Sequence, residues 1–193
     1  MADQKTYRLQ WYFIALAALF AIAHLAWQYI HGGVVSHHFL DRSDLPAISN
    51  WWGLIVLPVL GWLAAWSVLH RTTVDPRAFG KAIAAMVGAI LVGAALSVAF
   101  VTGKEQATTV IFAAALVSGV VFPAYRAEYV LGFVLGMDFV FGPVLPTIAA
   151  LVAVGISAAF HLIIWPTFVW LVRRNKAEDS AERVIVARRW PHP

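Results

Sequence analysis

The sequence predicts an all-α, polytopic integral membrane helical bundle. Charged residues make up only 12% of the 193-residue chain, about half of the roughly 25% that is usual in soluble domains. Apolar runs of about 19 or more residues recur along the chain, as membrane-spanning helices require. Lysine and arginine lie in short clusters between these runs, and the mean hydropathy is +0.76. Together these observations predict a protein whose solvent is the lipid bilayer.

The apolar runs predict six transmembrane helices within one domain, residues 1–172, followed by a basic cytoplasmic tail, residues 173–193. The fifth run is too short to cross a bilayer upright, so we expect a short, bent or re-entrant helix that ends before Pro143. No soluble domain is predicted. In chain order the six predicted spans are Leu9–Ile30, Trp51–Leu69, Ala82–Val101, Ala107–Tyr125, Glu128–Phe141 and Thr147–Val172.

The distribution of basic residues predicts that both termini are cytoplasmic. With six spans, the outer loops contain only Arg42 and Lys104 of the 14 lysines and arginines, as the positive-inside rule favours. Five spans would move the basic tail outside. This topology also explains the pI of about 9.7, so no nucleic-acid partner is expected. The abundance of alanine, glycine and valine favours a bacterial inner membrane.

The N-terminus allows a second interpretation. Lys5 and Arg8, followed by an apolar stretch and Ala21-Ile22-Ala23, resemble a signal peptide with a small-residue cleavage site. The apolar run continues to Ile30, however, which is long enough to span a bilayer. We therefore favour a first transmembrane helix.

Titratable residues are concentrated between His24 and Asn50. His24, Gln28 and His31 are spaced i, i+4 and i+7, which places them on one stripe of the first helix. Imidazoles with this spacing, near further histidines in a loop, can bind zinc, copper or iron. The predicted metal ligands are His24, His31, His37 and His38. The alternative is that the last three are solvated loop residues.

Asp138 is a carboxylate inside the fifth apolar run. Such a residue is costly in a membrane and suggests a functional site. If the fifth helix runs outward, Asp138 reaches the depth of His24 and His31. We therefore predict Asp138 and Asp41 as catalytic acid/base groups or further metal ligands. The alternative is that Asp138 lies among the lipid headgroups or caps the turn before Pro143.

Small residues predict close helix packing. Gly132 and Gly136 form a GxxxG pair on the face of the fifth helix opposite Asp138. Ala84 with Gly88, and Ala89 with Gly93, repeat this pattern in the third helix. Such faces could also bind a second copy of the chain or another membrane protein.

His161 lies near the middle of the sixth predicted span, one turn after Ser157. A histidine at this depth can relay protons. It can equally donate a hydrogen bond that orients neighbouring helices. The sequence leaves both roles open.

Three function classes follow from these residues. The first is a metal-dependent membrane enzyme that acts on an apolar or lipid-like substrate at the outer leaflet. The second is a non-catalytic membrane subunit or assembly factor, in which the polar residues only orient helices. The third is a small transporter coupled to protons or metal ions, with Asp138 and His161 as relay groups.

Overall fold

The computed structural model describes residues 2–38, 44, 46–72 and 77–176. These residues form six α-helices and a short antiparallel hairpin in which Ser36, His37 and His38 pair with Ser49, Ile48 and Ala47. The elements in chain order are α1 Ala2–Ile30, β1 Ser36–His38, β2 Ala47–Ser49, α2 Gly53–Thr72, α3 Ala78–Val101, α4 Glu105–Val121, α5 Ala127–Phe141 and α6 Val144–Ala158.

The helix lengths support a membrane protein. Four helical stretches are long and apolar enough to cross a bilayer: Gln10–Ile30, Asn50–Thr72, Ala78–Val101 and Val144–Lys176. The 17 residues of α4 and 15 residues of α5 span about 26 and 22 Å at the helical rise, less than the hydrocarbon thickness of about 30 Å. The all-α class and the short fifth helix are confirmed; six crossings and cytoplasmic termini stay predictions.

The outer surface of the bundle is apolar on several helices. Large aliphatic side chains such as Leu19, Leu91, Val98 and Leu151 are more than half exposed. A soluble monomer rarely exposes contiguous apolar surface on this scale. Lipid is the solvent in which this surface is stable.

Glycines allow close contact between α3 and α5, which run parallel. A Cβ atom on Gly93 would lie 2.5 Å from the carbonyl oxygen of Phe133. A Cβ on Gly132 would overlap the carbonyl oxygen of Met86, and one on Gly136 that of Ile90. The predicted small-residue packing is therefore confirmed for this helix pair, within the chain.

The hairpin marks one end of the bundle, which we call the hairpin end. The turn from α5 into α6 lies here, because Gly142 packs against the side chain of Asn50 and Pro143 against Gly53. Gly142 has φ 65° and ψ 177°, a conformation that is essentially restricted to glycine. The ends of α1 and α5 are thereby brought close together.

Three features differ from the predicted elements. The hairpin places His37 and His38 on a strand. The fourth helix ends at Val121 instead of Tyr125, because Phe122 precedes Pro123 and adopts an extended conformation. The helix that begins at Val144 continues to Lys176, so residue 172 is not an element boundary. The tail residues 177–193 lie outside the described residues.

Candidate functional site

His24 of α1 and Asp138 of α5 form a buried pair. His24 Nδ1 lies 2.5 Å from Asp138 Oδ2, and the two residues are 5% and 1% exposed. Helix α1 packs mainly along α2, whereas α5 packs mainly along α3. The pair therefore joins two helices that otherwise belong to different packing pairs.

Gln28 forms a hydrogen bond with the second nitrogen of the His24 ring. Gln28 Nε2 lies 2.9 Å from His24 Nε2, and the backbone N–H of Val35 donates to Gln28 Oε1 at 3.2 Å. Because Val35 supplies a donor, the oxygen of the amide must face Val35 and its NH₂ group must face His24. His24 Nε2 is then a hydrogen-bond acceptor, and the ring proton is on Nδ1, toward Asp138.

These contacts form a continuous series from the bundle to the hairpin. Asp138, His24 and Gln28 are all buried. Val35 immediately precedes β1, and its carbonyl accepts a hydrogen bond from the N–H of Asn50 at 3.1 Å. The protonation of one imidazole is thus linked by two hydrogen bonds to the backbone that starts the hairpin.

The carboxylate oxygens of Asp138 lack part of their hydrogen bonding. Among the described residues neither of its carboxylate oxygens accepts a hydrogen bond of ordinary geometry. Its short contact with His24 Nδ1 is therefore a close polar contact and not a well-aligned N–H···O bond. A buried carboxylate in this state retains unused hydrogen-bond acceptor capacity, which is costly in an apolar interior.

Aromatic side chains cover the pair. The Phe139 ring lies 4.4 Å from the His24 ring, centroid to centroid, and packs edge-on against Phe20 and Trp27. Phe139 is itself 57% exposed. It separates the pair from the apolar surroundings of the bundle.

The other predicted metal ligands do not join His24. The His31 ring stacks on Trp27 and contacts the Trp27 carbonyl through Nδ1 at 2.7 Å. His37 and His38 lie on β1. Asp41 lies outside the described residues. Within the part of the chain that is described, no group of three histidine or acidic residues could bind a metal ion, so metal binding is not supported there.

His161 lies in a π-helical segment, Ala159–Ile164, that continues α6. Its Nδ1 lies 3.0 Å from the carbonyl oxygen of Ser157, and its ring is 5.9 Å from that of Tyr125. The imidazole therefore donates within its own helix and not to a neighbouring one, so its predicted role in orienting neighbouring helices stays a prediction. Its role in proton relay stays untested.

A second ion pair, between the partly exposed Arg71 and the buried Glu128, was not predicted. Arg71 Nη2 lies 2.6 Å from Glu128 Oε1, at the end of the bundle opposite the hairpin. Arg71 also donates from Nε to the Ser67 carbonyl at 3.0 Å. In the sequence, Glu128 lies beside Arg126 at the start of the fifth predicted span, a position that indicates contact with solvent or with Arg126. The sequence feature that could have indicated burial is that Glu128 directly precedes the apolar run of α5.

Comparison with protein-family models, with curated proteins and with solved structures finds no match for this chain. The contacts of the His24–Asp138 pair are therefore the observations from which we infer a function.

Proposed function

We propose that the chain is a non-catalytic, proton-responsive membrane protein in which His24 and Asp138 form the proton-binding site. The observation that carries this proposal is the series of contacts from Asp138 through His24 and Gln28 to the backbone of Val35. Through it, a proton taken up inside the bundle changes the attachment of the hairpin.

The response follows from hydrogen-bond polarity. A proton on His24 Nε2 converts that nitrogen from an acceptor into a donor. The Gln28 amide must then rotate to present its oxygen to His24, which turns its NH₂ group toward the Val35 N–H. Two donors face each other, so the bond between Val35 and Gln28 breaks and β1 loses this attachment to α1.

Protonation of His24 has one favourable and one unfavourable contribution to the free energy. With a neutral imidazole, an ionised Asp138 is a buried negative charge that is costly to keep in a membrane. Protonated His24 neutralises this charge. Proton uptake costs the hydrogen bond from Val35 to Gln28, about 1 kcal/mol, because the rotated amide still bonds to His24 through its oxygen. Asp138 is an ionisable side chain in contact with the ring, and Gln28, Phe20 and Phe139 also lie beside it.

The proposal is tested with a spin label on the hairpin. The chain has no cysteine, so Ser36→Cys gives a single labelling position on the exposed face of β1. In liposomes, label mobility is expected to increase reversibly as the pH of the buffer is lowered, because His24 takes up a proton. Electron paramagnetic resonance spectra report this mobility directly.

Three variants of the labelled protein test whether the change in label mobility depends on Gln28 and on protonation of His24. Gln28→Leu removes the link to Val35, so the label should be mobile at every pH. His24→Gln retains an oxygen that accepts from Gln28 and cannot be protonated, so the label should stay ordered at every pH. His31→Gln is the matched control and should keep the full response. A pH response that survives His24→Gln would refute the proposal.

An acid–base enzyme is the second candidate. It is favoured by the His24–Asp138 pair, because an imidazole beside a carboxylate can transfer protons. The exposed Phe139 ring covers the pair, and an apolar substrate could reach the pair if this ring moved aside. His24 Nε2 would first have to lose Gln28. Both ring nitrogens are engaged by Asp138 and Gln28, so the chemistry that these contacts support is proton transfer. Turnover of a lipid substrate that stops in Asp138→Asn would favour it.

A proton transporter is less well supported. Glu128 and Asp138 lie ten residues apart on α5, about 15 Å at the helical rise. The buried side chains between them, Val130, Leu131 and Val134, are apolar. They offer no hydrogen-bonding groups to carry a proton from one carboxylate to the other.

A further inference from the structure

A separate cavity lies toward the end of the bundle opposite the hairpin. It has a volume of about 550 Å³, within the range of roughly 300 to 1,000 Å³ that is typical of small-molecule sites. Side chains of α3, α4, α5 and α6 line it, and none belongs to the His24–Asp138 site. Its floor includes Val130 and Phe133 of α5 and Ala150 of α6.

The cavity exists because small residues face it. On α3 these include Ala84, Ala85 and Gly88, and a Cβ added to Gly88 would meet nothing within 4 Å. Within the described part of the chain no neighbouring helix reaches Gly88, so the predicted packing of Ala84 and Gly88 is not found there, and packing of this face against another chain stays a prediction. Nearer its own end, α4 packs against α6 instead, where Gly119 contacts Ser157.

The lining has a polar end. Lys81 and Tyr129 line the cavity, and they lie near the starts of α3 and α5, which are parallel helices. A lysine ammonium and a tyrosine hydroxyl are hydrogen-bond donors. Most of the remaining lining is alanine, valine, leucine and phenylalanine. The cavity is therefore amphipathic along its length.

We propose that this cavity binds one acyl chain of an anionic phospholipid, with the phosphate at Lys81. The apolar walls match a hydrocarbon chain, and the lysine complements a negative headgroup. The open side of the cavity lets the second chain remain in the bilayer. A lipid without net charge would make the same apolar contacts with the cavity lining but would lack the net electrostatic attraction to Lys81.

Native mass spectrometry of the detergent-solubilised full chain tests this proposal. Equimolar phosphatidylglycerol and phosphatidylcholine with identical acyl chains are added, and retained lipid is counted. We expect one retained lipid, with phosphatidylglycerol preferred roughly fivefold, as one basic side chain near an anionic headgroup contributes. Equal retention of the two lipids by the wild-type chain would overturn the headgroup assignment.

Variants of α3 test the position of the lipid. Gly88→Leu fills the cavity and should abolish retention of both lipids. Gly80→Leu is the matched control: it lies on the same helix, also has open space around its Cβ, and does not line the cavity. It should retain lipid as the wild-type chain does. Unchanged retention in Gly88→Leu would overturn the proposed site.

Variants of Lys81 test the headgroup contact. Lys81→Gln should lose the preference for phosphatidylglycerol while keeping lipid retention, and Lys81→Arg should keep both. A preference that persists in Lys81→Gln would contradict the contact. Circular dichroism and monodisperse gel filtration must first show that each variant is folded.

Discussion

At the scale of single residues, His24 is the most constrained side chain of the site. One ring nitrogen faces the carboxylate of Asp138 and the other faces the amide of Gln28. Such a buried polar group is costly to bring into the bundle, and the cost is recovered only while each partner is in place. Removing either partner therefore affects stability more than the pair itself contributes.

A double-variant cycle measures this asymmetry. His24→Leu leaves Asp138 buried without its close partner and should lower the free energy of unfolding by about 3–5 kcal/mol. The double variant His24→Leu, Asp138→Leu replaces both groups with apolar ones and should be markedly more stable than His24→Leu. Unfolding by denaturing detergent in mixed micelles provides the measurement. A double variant at least as unstable as His24→Leu would contradict this account.

At the scale of secondary-structure elements, α5 is the centre of the bundle. One of its faces carries Gly132 and Gly136 against α3, and its two ends carry Glu128 and Asp138, paired with α2 and α1. The helix is short, yet it contacts α2, α3 and α6. Its position is determined by backbone contact in the middle and by a polar side-chain pair at each end.

Alanine substitutions distinguish a packed glycine from an open one. Gly132→Ala places a methyl group against the Met86 backbone, which cannot move independently, and should destabilise the protein by about 1–3 kcal/mol. Gly88→Ala faces the open cavity and should leave stability unchanged or raise it by up to about 1 kcal/mol. Equal effects of the two substitutions on detergent-induced unfolding would refute the close packing of α3 on α5.

At the scale of the whole molecule, the bilayer explains the exposed apolar surface, but two helices are shorter than its hydrocarbon core. Helices α4 and α5 are joined by residues 122–126, at the end of the bundle that carries Arg71 and Glu128. If both helices cross, this connection reaches the cytoplasmic surface. If they form a re-entrant pair, the connection stays within the membrane.

Single-cysteine labelling decides between these topologies. With six crossings and cytoplasmic termini, Ser36→Cys on the hairpin should react with a membrane-impermeant maleimide in intact cells. Ala124→Cys in the α4–α5 connection should react only after the membrane is permeabilised. Cysteine at Thr102, between α3 and α4, is the control for the hairpin side. An Ala124→Cys chain that resists the reagent even in permeabilised membranes would indicate a re-entrant pair.

The periodicity and composition of the sequence by themselves determined the helical, membrane-compatible class, the short fifth helix and the GxxxG contact. These follow from local hydrophobicity and residue size, which act over one or two turns. The i, i+4 stripe also indicated that His24 and Gln28 share a face, and the apolar surroundings singled out Asp138.

Only the tertiary structure decided which of these groups meet. The Gln28 amide reaches Val35 because the chain folds back after Gly33, and Glu128 finds Arg71 57 residues away along the chain. The open space beside Gly88 depends on the distance between α3 and α4 at this level of the bundle. Contacts of this kind depend on the relative positions of distant helices, which local hydrophobicity does not encode.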